Sequence, residues 1–224
     1  TSIRNTFGIS LREGFNKWAK AGLTAFVTHE YRDFSLPDST PTGLRTTRHY
    51  KENIIYVGGE LLKEQGKYLH YKVLGEMAVA GEDAGEFRIE GNGDLNLKLW
   101  GDSVRLDVNA YVKNLNPVFF YRHFHSKHYW WDHSDLSKIM RTRVEGKLHI
   151  NRLGTTFRAG VENIKNYTYL ANTSIPVTNN EGVITSFKNN AAVMQHSGNI
   201  QVFSAIWQQK LKFGILHLDG ELVY

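Results

Sequence analysis

The sequence predicts an all-β protein, an antiparallel up-and-down transmembrane β-barrel with about ten strands visible. Three observations predict it. Apolar and polar side chains alternate with period two over long stretches, the apolar parity is rich in glycine, and the connections alternate between short turns and long loops.

The alternation runs through the chain in order. Weaker alternating segments cover Ile3 to Leu11, Ala19 to Tyr31 and Ile55 to Leu61. Leu69, Tyr71, Val73, Gly75, Met77 and Val79 then oppose His70, Lys72 and Glu76. The clearest strand is Phe87 to Trp100, where Phe87, Ile89, Leu95, Leu97 and Leu99 share a parity against Arg88, Glu90, Asn92, Asp94, Asn96 and Lys98. Gly101-Asp102-Ser103 turns the chain into Val104, Leu106, Val108, Ala110 and Val112, which oppose Arg105, Asp107, Asn109, Tyr111 and Lys113. Val144, Gly146, Leu148 and Ile150 oppose Arg143, Glu145, Lys147 and His149, and a weaker strand covers Phe157 to Tyr169. Two segments close the series, Phe203 to Phe213 against Lys210 and Lys212, and Leu216 to Leu222 against His217, Asp219 and Glu221.

Strand length separates two meanings of this pattern. A soluble sandwich manages with about 5 to 6 residues per strand, whereas a tilted strand needs about 9 to 11 to cross a bilayer. The longer segments meet the second requirement. Gly59, Gly75, Gly91 and Gly93 on the apolar parity would leave holes in a packed interior, but lipid chains can fill such gaps. Short turns fall near Gly14, Gln65-Gly66, Gly101-Asp102, Arg152-Leu153-Gly154 and Gly214, and mostly long connections are expected around 35–51, 80–86, 116–138 and 170–199. If the short turns are periplasmic, Thr1 and Tyr224 both lie at the loop side, which predicts a single domain, 1–224, that is a portion of a larger barrel.

Bulk composition removes other classes. No run approaches the roughly 20 apolar residues of a membrane helix. Cysteine is absent, which excludes disulfide scaffolds and thiolate chemistry. The net charge of +5 comes from Lys and Arg interleaved with Asp and Glu rather than clustered, so no nucleic-acid partner is expected.

The densest motif is Asn116-Pro117-Val118-Phe119-Phe120-Tyr121-Arg122-His123-Phe124-His125-Ser126-Lys127-His128-Tyr129-Trp130-Trp131-Asp132-His133. With the long alternating strands on either side, this stretch resembles the Putative porin family of the Bacteroidetes outer membrane, over most of the chain and in the central and later part of a longer family barrel. The resemblance implies a β-barrel that conducts small solutes, and it transfers no catalytic residue.

Read physically, His123, His125, His128 and His133 with Asp132 and Asp135 are of the residue types that bind zinc or copper, but their spacing matches no closed site, and no metal is expected. The favoured reading makes Phe119, Phe120, Tyr121, Tyr129, Trp130 and Trp131 part of an aromatic girdle with the histidines in its polar rim. Ser126, Asp132, His133, Ser134 and Asp135 also offer the groups of a hydrolase, though adjacency in sequence is weak evidence for a triad, and no enzyme is expected.

The polar parity is the stronger candidate for function. Lys72, Arg88, Glu90, Asp94, Lys98, Arg105, Asp107, Lys113, Arg143, Glu145, Lys147, Arg158, Glu162, Lys210, Lys212, Asp219 and Glu221 should line a lumen, with a weak preference for anions. The expected role is passive diffusion of small solutes across a bacterial outer membrane, without a cofactor. The partner is outer-membrane lipid. The alternative is a barrel that anchors or docks other envelope proteins or surface lipoproteins through its loops.

Overall fold

The structure, a computed structural model, describes residues 1–15, 20–39, 43, 45–99 and 101–224, and the side chains of all but Leu99 and Asp102 among these. The expected strand residues Ala19 and Trp100 lie outside the described residues. In chain order the elements are β1 (Ser2–Leu11), β2 (Gly22–Ser39), β3 (Arg45–Lys63), β4 (Leu69–Ala80), β5 (Phe87–Leu99), β6 (Asp102–Leu115), α1 (Phe119–Arg122), β7 (His123–His125), β8 (Trp130–Asp132), β9 (Ile139–Ile150), β10 (Thr155–Asn172), β11 (Ile175–Thr178), β12 (Ile184–Lys188), β13 (Ala191–Phe213) and β14 (Leu216–Val223).

Ten of these strands form one antiparallel sheet in the order β1-β2-β3-β4-β5-β6-β9-β10-β13-β14. Each strand follows its predecessor up and down. The two small hairpins, β7–β8 and β11–β12, stand apart from it. Among the described residues the sheet is open: β1 pairs with β2 alone, and β14 with β13 alone.

Burial on the sheet is the reverse of that in a soluble domain. Phe7 is 74% exposed, Ile89 49%, Val161 49% and Phe203 59%, whereas Thr28 is fully covered and Glu52, Glu145 and Glu162 are 4%, 8% and 8% exposed. The cause is curvature. Arg4 on β1 reaches Glu76 on β4 at 3.3 Å across two intervening strands, and the Tyr111 hydroxyl on β6 donates to Glu162 on β10 at 2.8 Å across β9. Strands in a flat sheet stand about 4.8 Å apart, so such contacts require the sheet to curl toward its polar face. The polar parity is therefore concave and the apolar parity convex.

Two of the expected long loops are instead largely strand. β2 and β3 stay paired as far as Ser39 opposite Arg45, and β10 and β13 as far as Asn172 opposite Ala191, beyond which lies β11–β12. These extensions lack clean alternation because a hairpin satisfies its own backbone groups whatever its side chains face. Their register continues that of the alternating part, and one bulge interrupts it, between Lys165 and Tyr167. Gly58 is fixed by the curl: a Cβ there would stand 2.5 Å from the Phe26 ring and 2.6 Å from the Gly75 carbonyl oxygen.

Candidate functional site

The concave face is built from cross-strand rows. Asp94, Asp107, Lys147 and Arg158 are successive partners across β5, β6, β9 and β10, and Glu90, Tyr111, Arg143 and Glu162 form a second row across the same strands. The charges pair diagonally across strands, directly opposite one another, or two residues apart on one strand. Arg158 meets Glu145 at 2.9 Å, Lys113 meets Glu90 at 2.7 Å, Lys72 meets Glu60 at 2.9 Å and Arg105 meets Asp107 at 2.7 Å. Arg88 pairs with Glu76, and Arg143 with Glu145 at 2.5 Å. Pairs whose cation stays open to water are worth about 0.2 to 1 kcal/mol each, so the ladder shapes the local field more than it holds the fold.

Of the residues expected to line a lumen, Lys72, Asp94, Arg105, Asp107, Glu145, Lys147 and Arg158 border one groove of about 600 Å³. Glu90 and Arg143 border its neighbour, and Arg88 a recess shared with Arg4 and Arg32. Lys210 stands with Arg105, Lys147 and His149 around a recess of about 670 Å³ at the end where the short turns lie. Lys98 and Lys212 lie farther toward that end, opposite Ser103 and His217.

The other end of the concave face carries a network absent from the sequence-based candidates. Arg32 on β2 contacts Glu30 at 2.7 Å, Asp83 at 2.7 Å, Glu52 at 3.5 Å and the Tyr56 hydroxyl at 3.1 Å. Asp83 sits in the 81–86 loop and also accepts from Tyr56 at 2.9 Å. From the next loop, the Asn116 backbone N–H donates to Glu86 at 2.5 Å and its side-chain amide to Asp83 at 3.1 Å. Burial drives the Glu86 carboxyl up to about 7, with the Asp83 charge adding to the rise and the Asn116 hydrogen bond opposing it. The sequence signal for this network was weak: Glu30, Arg32 and Glu52 share one parity of β2 and β3, but Asp33 and Lys51 blur the pattern.

Residues 117–133 fold over this network. The Phe119 ring stacks on Phe34 at 3.8 Å between centroids, and Phe34 belongs to the concave parity of β2. Arg122 donates to Glu52 at 2.9 Å and to the Pro117 carbonyl at 3.2 Å. The β7–β8 hairpin then brings His123, His125 and Asp132 together beneath Tyr50. Asp132 accepts from His123 Nδ1 at 2.7 Å, His125 Nε2 at 2.9 Å and the Tyr50 hydroxyl at 3.1 Å. Burial alone would raise the Asp132 pKa, but hydrogen bonds from His123, His125 and Tyr50, with the His125 charge, outweigh it and hold the carboxyl below its ordinary value.

The aromatic residues of this stretch take distinct places. Phe119 is buried between Phe34 and Tyr50, and Phe120 meets Phe34 edge-on. Tyr121 follows them in α1. Trp130 stacks on His125 at 3.8 Å, Trp131 stacks on Phe124 at 4.9 Å, and the Trp131 indole N–H donates to the Phe120 carbonyl. Tyr129 closes the hairpin turn with Ser126, whose hydroxyl donates to the Tyr129 carbonyl and accepts the Tyr129 N–H, both at 3.0 Å. His133 meets Asp135 at 3.8 Å. No group of three or more His, Asp or Glu side chains arranged to hold a metal ion occurs among the described residues.

Comparison with known proteins agrees with this architecture. No curated protein and no solved structure matches the chain. The model of the Putative porin family matches residues 1–224, the whole of the chain, and the protein therefore belongs to that family.

Proposed function

We infer that this chain forms the wall of a bacterial outer-membrane channel through which small solutes diffuse along the charged concave face. The observation that carries the reading is the inverted burial over most of the sheet, with Phe7, Ile89, Val161, Phe203 and the like outward and Glu145, Glu162 and Thr28 inward, while apolar Leu36 and Ile54 are covered at the loop end. A convex face of that size exposed to water would cost about 25 cal/mol per Å², and hydrocarbon removes the cost. Closure of the sheet into a barrel follows from the same requirement, since an open edge in lipid leaves backbone groups unsatisfied. Membership in a porin family agrees with an outer-membrane location and a non-enzymatic role. Many of the wall's charges are held by ion pairs within the sheet, so solute discrimination rests on size and field. Stepwise conductance on insertion into planar bilayers is the expected result, and a protein that stays soluble and monomeric without detergent would overturn it.

A second reading, docking of surface lipoproteins, rests on β11–β12. This hairpin stands outside the main sheet and exposes Ile175, Val177, Ile184 and Phe187. Deletion of 175–188 that leaves conductance intact and abolishes a purified partner's binding would favour it; unchanged binding would exclude it.

A further inference from the structure

Ion pairing on the concave face treats the two signs of charge differently. Each carboxylate that β4, β5, β6, β9 and β10 place there, Glu76, Glu90, Asp94, Asp107, Glu145 and Glu162, is met by a basic side chain. Two lysines break the balance. Lys147 on β9 and Lys210 on β13 are exposed, and their side chains form neither an ion pair nor a hydrogen bond among the described residues. Both border the turn-end recess of about 670 Å³, together with Arg105 and His149.

The fold brings these groups to one place by separate routes. Arg105 and His149 are direct partners across β6 and β9, and Lys147 is the next concave residue along β9. Lys210 is tied in by the β9–β10 turn, where its backbone N–H donates to the Gly154 carbonyl at 2.9 Å. Gly154 has a φ of +61°, and a Cβ there would stand 2.4 Å from the Lys210 carbonyl oxygen, so the turn can close on β13 only with glycine. Thr156 orients His149 through its hydroxyl, 2.7 Å from Nδ1. The opposing charge is spoken for or unengaged: Asp107 is held by Arg105 at 2.7 Å, and Asp219, directly across from Lys210, makes no ion pair with it among the described residues.

We propose that this recess is an anion-binding subsite of the channel, which holds phosphorylated small solutes as dianions. The proposal deepens the channel reading and rests on it. Lys147 and Lys210 supply the two charges that match a phosphate monoester above its second pKa of about 6. Arg105 and His149 add N–H donors beside them. An ammonium binds phosphate as a point charge without demanding one geometry, so the solute is held weakly enough to leave, as passage requires. The recess has room for more than the phosphate, since small-molecule sites span about 300 to 1,000 Å³.

Glucose 6-phosphate is the probe, with glucose and acetate as controls. Calorimetric titration of the refolded protein in detergent micelles at pH 7.5 and low salt should show saturable binding of the phosphate ester, none of glucose and weaker binding of acetate. Lys147→Gln and Lys210→Gln, both at exposed positions, should each weaken the binding by about fivefold. In planar bilayers, chloride conductance should fall as the phosphate ester is raised through the range in which it binds. Binding that is unchanged in the double variant overturns the subsite, as does acetate binding as tightly as the phosphate ester. Conductance that glucose 6-phosphate does not reduce overturns it too, and leaves the channel standing. Lysine-dependent binding to a protein that does not conduct upholds the anion site and removes the channel.

Discussion

The two ends of the concave face are made from the same alternating strands and behave differently. At the turn end, charged side chains pair with neighbours in the sheet and remain wet: Arg105 is about half exposed, and Lys147 and Lys210 form no ion pair among the described residues. At the loop end, Arg32, Glu52, Asp83 and Arg122 draw on β2, β3 and two loops, and Glu52 and Asp83 are almost fully covered. The difference teaches that a period-two pattern sets which side chains face inward, but not whether they meet water. That is decided by what folds over them.

The largest contrast expected from this comparison is in stability. Glu52→Ala leaves two guanidinium groups without their shared carboxylate in a covered site, and the unfolding free energy should drop by about 3 kcal/mol. Asp107→Ala at the turn end removes a partner of the half-exposed Arg105 and should cost about 0.5 kcal/mol. Urea midpoints of the two variants in the same detergent measure the difference, and equal losses would erase the distinction between the ends.

A pH dependence comes next in size. Glu86 has a folded pKa raised from 4.5 to about 7, so the folded state holds a proton that the unfolded chain has released over that interval. Its contribution is fully present below 4.5 and is lost as pH rises through about 7. Urea midpoints of the parent protein should therefore show a decline across this window that Glu86→Gln flattens. A Glu86→Gln variant with the parent's full decline would place the titrating group elsewhere.

The smallest effect belongs to the turn end. Arg105, Lys147, His149 and Lys210 share a recess in which Asp107 is the one carboxylate among the described residues. Lys147→Glu should move the reversal potential in a salt gradient by a few millivolts toward cations, on the order of a single charge screened over about 10 Å. A shift toward anions would contradict the assignment of this recess to the pore wall.

How much of this was legible depends on distance along the chain. β5 and β6 could be read almost residue by residue, because one face of each carries apolar side chains and the hairpin between them is local. The outer ends of β2 and β3 could not, since Arg48-His49-Tyr50-Lys51-Glu52 is polar on both parities and its pairing continues a register set farther down. The aromatic stretch showed its density but not its location. Phe34 and Tyr50, which receive it, lie some 85 and 70 residues earlier, and nothing within 117–133 states which face of the sheet it covers. The Arg32 network was hidden for the same reason, since Asp83 and Arg122 reach it from separate loops.

The absence of cysteine allows a direct test of the two-faced wall. Single cysteines placed at Val73, Ile89, Val108, Val144 and Val161 on the convex face, and at Lys72, Glu90, Asn109, Lys147 and Arg158 on the concave face, can be challenged in liposomes with a charged, membrane-impermeant maleimide. The account predicts that the concave set reacts and the convex set does not, until detergent is added. Reaction of the convex set in intact liposomes would show that the apolar side chains meet water, and the channel wall would have to be abandoned.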